Sequence, residues 1–513
     1  MKYFDFHCHP ILKQLFSDEP NIDSFISKND LGAIPDWCSE LRNVVQTQTN
    51  HSQLAEFKDE VVVGATLYSV EKYVAEVVNP LRKNLKKEAQ FKLSQTLLKS
   101  IADNTYKPFS GFLMERTLGE YLRASSSYNI LTKNSFNNPL PKNKVNIFFT
   151  IEGCHSLVDE NNYCDATHTY KPAEILSNLD KVLEKVNILS INLTHLQQSS
   201  LCNHAFGMQV ANIEPFVPKG NGLENDGKEV VQGIFDRKIC VDVKHMSYKS
   251  RKDLMNKIDA GEFNGVQPVV CTHAGFTGIT FKDWTKFIDF KTEKHGTWSL
   301  DIAKPINAKS NPMRPGFPGF NASSINLFDE EIAWIVKNKG VIGISLDKRI
   351  LGFSNDNSGS NPDDAALDKE YFSKAEWDSL GLKKPVNRLE VSDDYYLTVK
   401  EAEDSPGDEY FQYSHFFNHL KHYFQVCVNN GISIETAQKH ITIGTDYDGL
   451  ISPFGVTPTV KDIFKLRNYT SLHFRNFLED LSDAKIWSDQ INMDVFMENL
   501  FYRNGYNFIK SRF

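Results

Sequence analysis

The chain has 513 residues, 41% hydrophobic and 24% charged, a composition typical of a globular protein that can form one large domain. Its formal net charge of −8 argues against a nucleic-acid or anionic-membrane partner, because both attract basic proteins. No run of about 18 apolar residues predicts a transmembrane helix. No signal peptide is recognisable before Asp5, so we expect a cytoplasmic protein. The eight cysteines include no CxxC pair, which favours buried thiols in a reducing compartment.

Eight short apolar runs recur along the chain, and they predict its strands. In chain order they are residues 3–7, 61–69, 145–153, 188–195, 238–245, 266–273, 340–347 and 440–449. They are rich in Val, Ile and Phe with little polar alternation, as expected of parallel strands buried on both faces. Helical patterns lie between them, for example at 172–186 and 327–340. This alternation predicts an α/β fold and favours a (β/α)8 TIM barrel, with a doubly wound sheet as the alternative.

Three long segments interrupt the alternation, at about residues 10–60, 75–140 and 350–410. Each follows a predicted strand. In a barrel they would therefore lie on the C-terminal face, where TIM-barrel active sites form. We interpret residues 1–513 as a single barrel whose insertions are either substrate-shaping lids or passive surface elaborations.

Histidines and acidic residues end six of the eight runs. They are His7 and His9 in the first run, Glu152 in the third, His195 in the fourth, His245 in the fifth, His273 in the sixth and Asp446 in the eighth. The C-terminal ends of barrel strands meet at one mouth, so these side chains should converge. The two imidazoles of the His-x-His pair point to the same side of a strand, as a chelating pair would. Imidazole and carboxylate ligands suit Zn²⁺, Mn²⁺ or Fe²⁺, and zinc is the commonest in hydrolases.

This ligand set indicates a hydrolytic site with two divalent ions. Ions about 3.5–4 Å apart can share a bridging carboxylate and hydroxide, lower the pKa of bound water towards about 7 and polarise a scissile carbonyl. Asp446 is then the candidate that takes the nucleophile's proton and passes it to the leaving amine. A metal-dependent hydrolase acting on a small peptide or amide is the predicted function.

Several strand-end motifs resemble those of the membrane dipeptidase family, peptidase family M19 of the amidohydrolase superfamily. The resemblance covers nearly the whole chain, through VVGATLYS, FFTIEGCHSL, LSINLTHLQQSSLCN, GLENDGKEVVQGIFDRKICVDVKHMS and ITIGTDYDG. The fourth motif, which ends Asp-x-x-His-Met-Ser, is the most similar. The resemblance implies a metal-dependent barrel, a dipeptide or small-amide substrate, and a homodimer.

The resemblance also implies the metal ligands. His7 and His9 would bind the first ion, Glu152 would bridge both ions, and His245 and His273 would bind the second. The family has an aspartate where this chain has His9. This exchange removes one negative charge and should make the ions slightly more electrophilic.

For the substrate, the resemblance implies that His195 contacts the carbonyl and the tetrahedral intermediate, with Asn203 following in the same motif. The family arginine that binds the carboxylate of a dipeptide is missing, and NASSIN (321–326) lies near its expected position. Arg314 and Arg349 are the candidates to replace it.

Two other functions stay open from the sequence. TatD-like nucleases and PHP-type phosphoesterases also begin with His-x-His, although a nuclease usually needs an excess of Arg and Lys to bind phosphates. A barrel that kept the fold and lost the activity is the third hypothesis, which the missing arginine leaves open.

Overall fold

The computed structural model describes residues 1–13, 22–23, 25–26, 46–71, 99–100, 105–159, 169–207, 216–294, 296–305, 319–353, 367–385, 409–453, 455–479 and 483–513. Within these ranges the strands are β1 (Tyr3–Cys8), β2 (Val61–Leu67), β3 (Tyr128–Ile130), β4 (Val145–Ile151), β5 (Ile188–Asn192), β6 (Cys240–Asp242), β7 (Cys271–Ala274), β8 (Ile288–Lys294), β9 (Thr297–Ala303), β10 (Ile342–Ile344), β11 (Leu367–Ser373) and β12 (Ile441–Ile443). The α-helices are α1 (His51–Ala55), α2 (Gly119–Arg123), α3 (Pro172–Leu183), α4 (Asn225–Asp236), α5 (Tyr248–Asp259), α6 (Phe281–Trp284), α7 (Asp329–Lys337), α8 (Lys374–Ser379), α9 (Glu409–Asn429), α10 (Ile434–Ala437), α11 (Ile463–Glu479), α12 (Lys485–Ser488), α13 (Met493–Glu498) and α14 (Asn504–Lys510). Two π-helical segments, Pro108–Leu118 and Asn499–Arg503, lead directly into α2 and α14.

Two parallel sheets contain all eight predicted strands. One has the order β1-β2-β4-β5-β6, with β3 paired to the start of β4, and the other has the order β12-β10-β7. A parallel bridge between Asp242 and Val270 joins β6 to the segment before β7. A second parallel bridge, between Cys8 and Tyr447, joins β1 to the segment after β12. The described strands therefore form a parallel sheet arrangement that is consistent with a (β/α)8 barrel.

The strands at the start of the fold are buried on both faces, as their apolar runs predict. Every residue of β1, β2 and β4 is buried. Phe4 and Phe6 pack against Phe148, with ring centroids 5.6 and 6.4 Å apart, and Phe6 also contacts Phe508 of α14 at 5.9 Å. A Cβ atom at Gly505 would lie 2.0 Å from the Phe4 ring, so α14 can approach β1 this closely only with glycine there.

The helices predicted at 172–186 and 327–340 are present as α3 and α7. α7 begins with acidic residues such as Asp329, whose charge is favourable at a helix N-terminus. The Glu331 carboxylate accepts a hydrogen bond from the Phe328 backbone N–H at 2.9 Å and so caps this first turn. None of the helices in the described part of the chain is long and apolar enough to cross a membrane.

A small antiparallel sheet, β8-β9-β11, was not predicted from the sequence. β8 has one buried residue and ends in four exposed ones, and the buried residues of β9 are interrupted by the half-buried Ser299 and Asp301. These strands therefore lack the continuous apolar run that is typical of strands buried on both faces. The sheet and α8 enclose an aromatic cluster with Trp284, Trp298, Phe372 and Trp377. Glu376 of α8 attaches this unit to the segments that precede α4 and α5, because its carboxylate accepts hydrogen bonds from Ser247 Oγ at 2.5 Å and Gly222 N at 2.9 Å.

The three predicted insertions, at 10–60, 75–140 and 350–410, are described only in part, and residues 27–45, 75–98, 354–366 and 386–408 lie outside the described residues. Their position on the active-site face and their role therefore stay predictions. The end of the first insertion is described, and its Gln48 backbone N–H donates to Asp448 Oδ1 at 2.9 Å. This contact attaches the segment to the loop that follows β12.

Candidate metal centre

The first strand and the loop after the last one hold three of the predicted site residues side by side. The Asp446 backbone N–H donates to the His7 carbonyl oxygen at 2.9 Å, and the His9 N–H donates to the Tyr447 carbonyl oxygen at 2.9 Å. The Asp5 carboxylate adds to this connection by accepting from the Thr445 backbone N–H at 2.9 Å. His7, His9 and Asp446 are therefore positioned by backbone pairing at strand ends.

The first group of candidate ligands is formed by His7, His9 and Glu152. The two Nε2 atoms lie 3.2 Å apart. Glu152 Oε2 is 3.3 Å from His9 Nε2, and Glu152 Oε1 is 3.5 Å from His7 Nε2. Asp446 Oδ1 lies beside this group, 3.6 Å from His9 Nε2 and 3.8 Å from His7 Nε2.

The second group shares the same glutamate. His245 Nε2 and His273 Nε2 are 3.1 Å apart and lie 3.1 and 3.6 Å from Glu152 Oε1. Asp446 Oδ2 is 3.9 Å from His273 Nε2. The carboxylate of Glu152 therefore lies between two pairs of imidazoles.

One hydroxyl group fixes the tautomers of two of these histidines. Thr272 Oγ1 donates its only hydrogen to Asp242 Oδ2 and lies 3.1 Å from both His7 Nδ1 and His273 Nδ1. With its hydrogen committed, the hydroxyl can only accept from the two rings, so both Nδ1 atoms carry the proton. The Nε2 atoms of His7 and His273 therefore present lone pairs to Glu152 and to the neighbouring imidazoles.

The donor set fits divalent cations. Ligand atoms about 2.0–2.1 Å from a tetrahedral ion are about 3.3–3.4 Å from one another, close to the separations within both groups. Lone pairs that face each other at these distances repel unless a cation lies among them. Asp446 Oδ1, 3.6 Å from His9 Nε2, is buried and has no hydrogen-bond partner among the described residues. The cluster thus has the chemistry of a divalent metal site.

Burial and mutual contacts control the charges in the cluster. Burial lowers the pKa of His245 to about 3 and holds those of His7 and His273 well below their usual range, which favours neutral imidazoles. Burial by itself would raise the pKa of Glu152, but the surrounding histidines hold it well below its usual range. Burial raises the pKa of Asp446 to about 6. Neutral imidazoles and an ionised glutamate are the forms that bind metal ions, and three of the four candidate imidazoles are favoured in that form. His9 differs, because burial by itself would lower its pKa but Asp446 and Glu152 raise it to about 9.

His195 lies at the edge of the cluster rather than at its centre. Its Nε2 is 3.7 Å from Glu152 Oε1, and its ring centroid is 4.3 Å from that of His245. His195 and Asp446, each 9% exposed, are the most exposed of the seven predicted residues. These two side chains therefore keep the most contact with solvent among the seven.

Sequence reasoning missed three residues that contact the cluster. Glu71 follows β2 and binds the Nδ1 of His195, while Asp242 and Thr272 act on His7 and His273 as described above. A carboxylate two residues beyond the predicted strand 61–69 could have identified Glu71. Aspartate and threonine in buried strands are too common for Asp242 and Thr272 to stand out.

The residues predicted to bind the substrate have other partners or lie outside the described residues. Arg349 forms a bidentate ion pair with Asp347, with Nε–Oδ1 at 3.0 Å and Nη2–Oδ2 at 2.6 Å. Asn203 Oδ1 accepts a hydrogen bond from the Gly220 backbone N–H at 2.9 Å. Arg314 lies outside the described residues. The binding of a substrate carboxylate by these three residues stays a prediction.

Comparisons with known proteins found similarity among solved structures only. No family model matches the sequence, and no curated protein sequence matches it. The chain is similar to a metallopeptidase from Rhodobacter sphaeroides that was crystallised with a phosphinate mimic of the dipeptide L-Ala-D-Ala, at 12% identity and a TM-score of 0.49 over 100% of this chain and 99% of that one. It is also similar to the M19 dipeptidase AC, at 12% identity and a TM-score of 0.49 over 100% and 98% of the two chains.

A third similar structure is the probable dipeptidase PvdM from Pseudomonas aeruginosa, at 12% identity and a TM-score of 0.45 over 100% of this chain and 96% of that one. At this level of similarity, any statement about the reaction depends on the geometry of the site.

Proposed function

We propose that this protein is a binuclear metal-dependent hydrolase that cleaves a dipeptide or a similar small amide. The observation that carries the proposal is the position of Glu152, whose carboxylate lies within 3.6 Å of four imidazole nitrogens from four separate positions in the sequence. We further propose that the strands close into a complete (β/α)8 barrel formed by residues 1–513. The parallel bridges at both ends of the two sheets support this closure.

Each group of ligands would hold one ion. His7, His9 and Glu152 would hold the first ion, and Glu152, His245 and His273 the second. Zinc matches this combination of imidazoles and a carboxylate best, and Mn²⁺ and Fe²⁺ are the alternatives. When bound, such a pair of ions lowers the pKa of water and polarises the substrate carbonyl.

Proton transfer and contact with the substrate carbonyl would be carried out by Asp446 and His195, the two most exposed of the predicted residues. Asp446 lies within 3.6–3.9 Å of His7, His9 and His273, where it can accept a proton from the attacking water and deliver it to the leaving amine. His195 directs Nε2 towards Glu152 and would contact the oxygen of the scissile carbonyl. Both roles require the partial exposure that these two residues have.

The overall charge of the chain favours a small amide over a phosphodiester. Arg349, one of the two arginines predicted for substrate binding, is already paired with Asp347. Phosphodiester substrates are usually bound by unpaired Arg and Lys side chains, and the chain carries a net charge of −8. A phosphoesterase and an inactive barrel are kept as outcomes of the test below, and the homodimer stays a prediction of the family resemblance.

The test combines metal analysis with hydrolysis of a dipeptide panel by wild type and His7→Ala. We expect chelator-sensitive hydrolysis by wild type and a loss of at least about 100-fold in His7→Ala, because one ligand of the first ion is removed. His440→Ala is the matched control, because His440 Nδ1 bonds the Gly340 carbonyl oxygen at the opposite ends of the strands. Hydrolysis of phosphodiesters alone would contradict the proposal, and so would a protein that binds no metal.

A further inference from the structure

Glu71 is a buried carboxylate at the active site that the proposed mechanism does not use. It is 0% exposed and lies four residues after the end of β2. One carboxylate oxygen, Oε1, is hydrogen-bonded to His195 Nδ1, and the other, Oε2, accepts from the Tyr68 hydroxyl. His155 Nε2 lies 3.8 Å from Oε1 and is hydrogen-bonded to the Ser69 carbonyl oxygen at 2.8 Å.

The arrangement determines which atom of His195 faces the reacting centre. An ionised carboxylate can only accept hydrogen bonds, so Nδ1 of His195 carries a proton and donates it. The opposite ring atom, Nε2, then points to Glu152 Oε1 at 3.7 Å. Nε2 is therefore the ring nitrogen presented to the substrate, and in the imidazolium form it also carries a proton that it can donate to a carbonyl oxygen. The orientation is thus fixed by a carboxylate rather than by a weak, neutral acceptor.

Aromatic contacts restrict the same ring further. The Tyr68 ring lies edge-on to His195 with centroids 5.2 Å apart, and it also contacts His9 at 6.0 Å. His155 stacks parallel to His195 at 6.1 Å. Tyr68 therefore acts twice, because its hydroxyl holds the Glu71 carboxylate and its ring packs against the histidine that the carboxylate binds.

We propose that Glu71, held by Tyr68, is the positioning residue that fixes His195 with Nε2 directed at the scissile carbonyl. This inference rests on the proposed function, since it assigns a partner to the residue that contacts the substrate. Carboxylate partners of active-site histidines typically contribute about 10–100-fold to activity. A merely structural role for Glu71 would affect folding or metal binding and would not depend on His195.

The first arm of the test observes the ring directly. In metal-loaded protein with ¹⁵N-labelled histidine, we expect a slowly exchanging proton on Nδ1 of His195, assigned by its absence in His195→Ala. This proton should be retained in Glu71→Gln, whose amide oxygen still accepts, and lost to solvent exchange in Glu71→Ala. The absence of this proton in wild type, or its unchanged presence in Glu71→Ala, would overturn the proposal.

The second arm measures dipeptide hydrolysis in a double-mutant cycle. Glu71→Ala should lower kcat by about 10–100-fold, with KM changed less than about threefold and the metal content of wild type. In the His195→Ala background the same substitution should change kcat by less than about threefold, because the two residues act as a unit. Loss of metal in Glu71→Ala, or an equal loss of kcat in both backgrounds, would contradict the proposal.

Two further variants separate positioning from folding. Glu60→Ala is the matched control, because Glu60 is a buried glutamate at the other end of β2 and forms an ion pair with Lys2 at 3.1 Å. We expect the kcat of this variant to equal that of wild type. Tyr68→Phe keeps the ring and removes one hydrogen bond to Glu71, so kcat should fall, but by less than in Glu71→Ala. This variant takes the place of Glu71→Ala if that protein does not fold. If wild type hydrolyses no amide, the proposed function fails, and the spectroscopic arm still decides whether Glu71 positions His195.

Discussion

Replacement of Thr272 by valine should weaken metal binding without changing any of the ligands. Valine keeps the β-branched shape that a buried strand requires. It removes the hydroxyl that accepts hydrogen bonds from His7 Nδ1 and His273 Nδ1, each at 3.1 Å. Because these two histidines belong to different groups of ligands, we expect the affinity for both ions to fall.

The size of the effect follows from the hydrogen bonds that are lost. A buried hydrogen bond contributes about 1 kcal/mol net, so two bonds amount to about 2 kcal/mol. At about 1.4 kcal/mol per factor of ten, Thr272→Val should bind each ion about fivefold more weakly than wild type, and the pair of ions about 30-fold more weakly.

The assay is a titration of metal-free protein with Zn²⁺ against a competing chelator. Thr442→Val is the matched control, because the Thr442 hydroxyl is buried in β12 and donates to the Leu500 carbonyl oxygen at 3.0 Å instead of contacting a histidine. We expect the control to bind Zn²⁺ as wild type does. Equal affinities for wild type and Thr272→Val, or an equal loss in Thr272→Val and Thr442→Val, would show that Thr272 does not fix the tautomers of His7 and His273 for metal binding.

Two further predictions concern stability. Burial raises the pKa of Glu370 from 4.5 to about 8, so between these values the folded state binds more protons and the free energy of unfolding falls as pH rises, by up to about 1.4 kcal/mol per pH unit. Glu370→Gln should remove this part of the slope in urea unfolding at pH 6 and pH 8, and an unchanged slope would contradict the assignment. Asn504→Ala should lower the free energy of unfolding by about 2–3 kcal/mol, because the side-chain amide donates to the carbonyl oxygens of Gln438 and Ile441 at 2.7 Å each. A change below about 0.5 kcal/mol in the same urea assay would show that these two bonds are energetically unimportant.

The parallel strands could be predicted from the sequence because each is buried on both faces. Such strands appear as runs of mostly apolar residues with little polar alternation, and VNIFFTI of β4 is an example. The antiparallel sheet β8-β9-β11 was missed for the opposite reason. IDFKTEK of β8 has one buried residue and ends in exposed charges, so it looks like a loop. The long insertions contain no comparable apolar run from which a buried strand could be predicted.

The candidate ligands could be predicted because histidine and glutamate are rare at the ends of buried strands and a barrel brings such ends together. The residues that orient them could not be predicted in this way. Thr272 is 265 positions from His7 in the sequence, and nothing local links the two. The pairing of Arg349 with Asp347, only two residues away, also depends on side-chain geometry that the sequence does not specify.

The most direct test of the central claim is an anomalous difference map from crystals of the protein loaded with Zn²⁺. We predict two peaks about 3.5–4 Å apart on either side of the Glu152 carboxylate. One peak should be bound by His7 and His9 and the other by His245 and His273. The absence of a peak at Glu152, or a single ion bound only elsewhere in the molecule, would contradict the account.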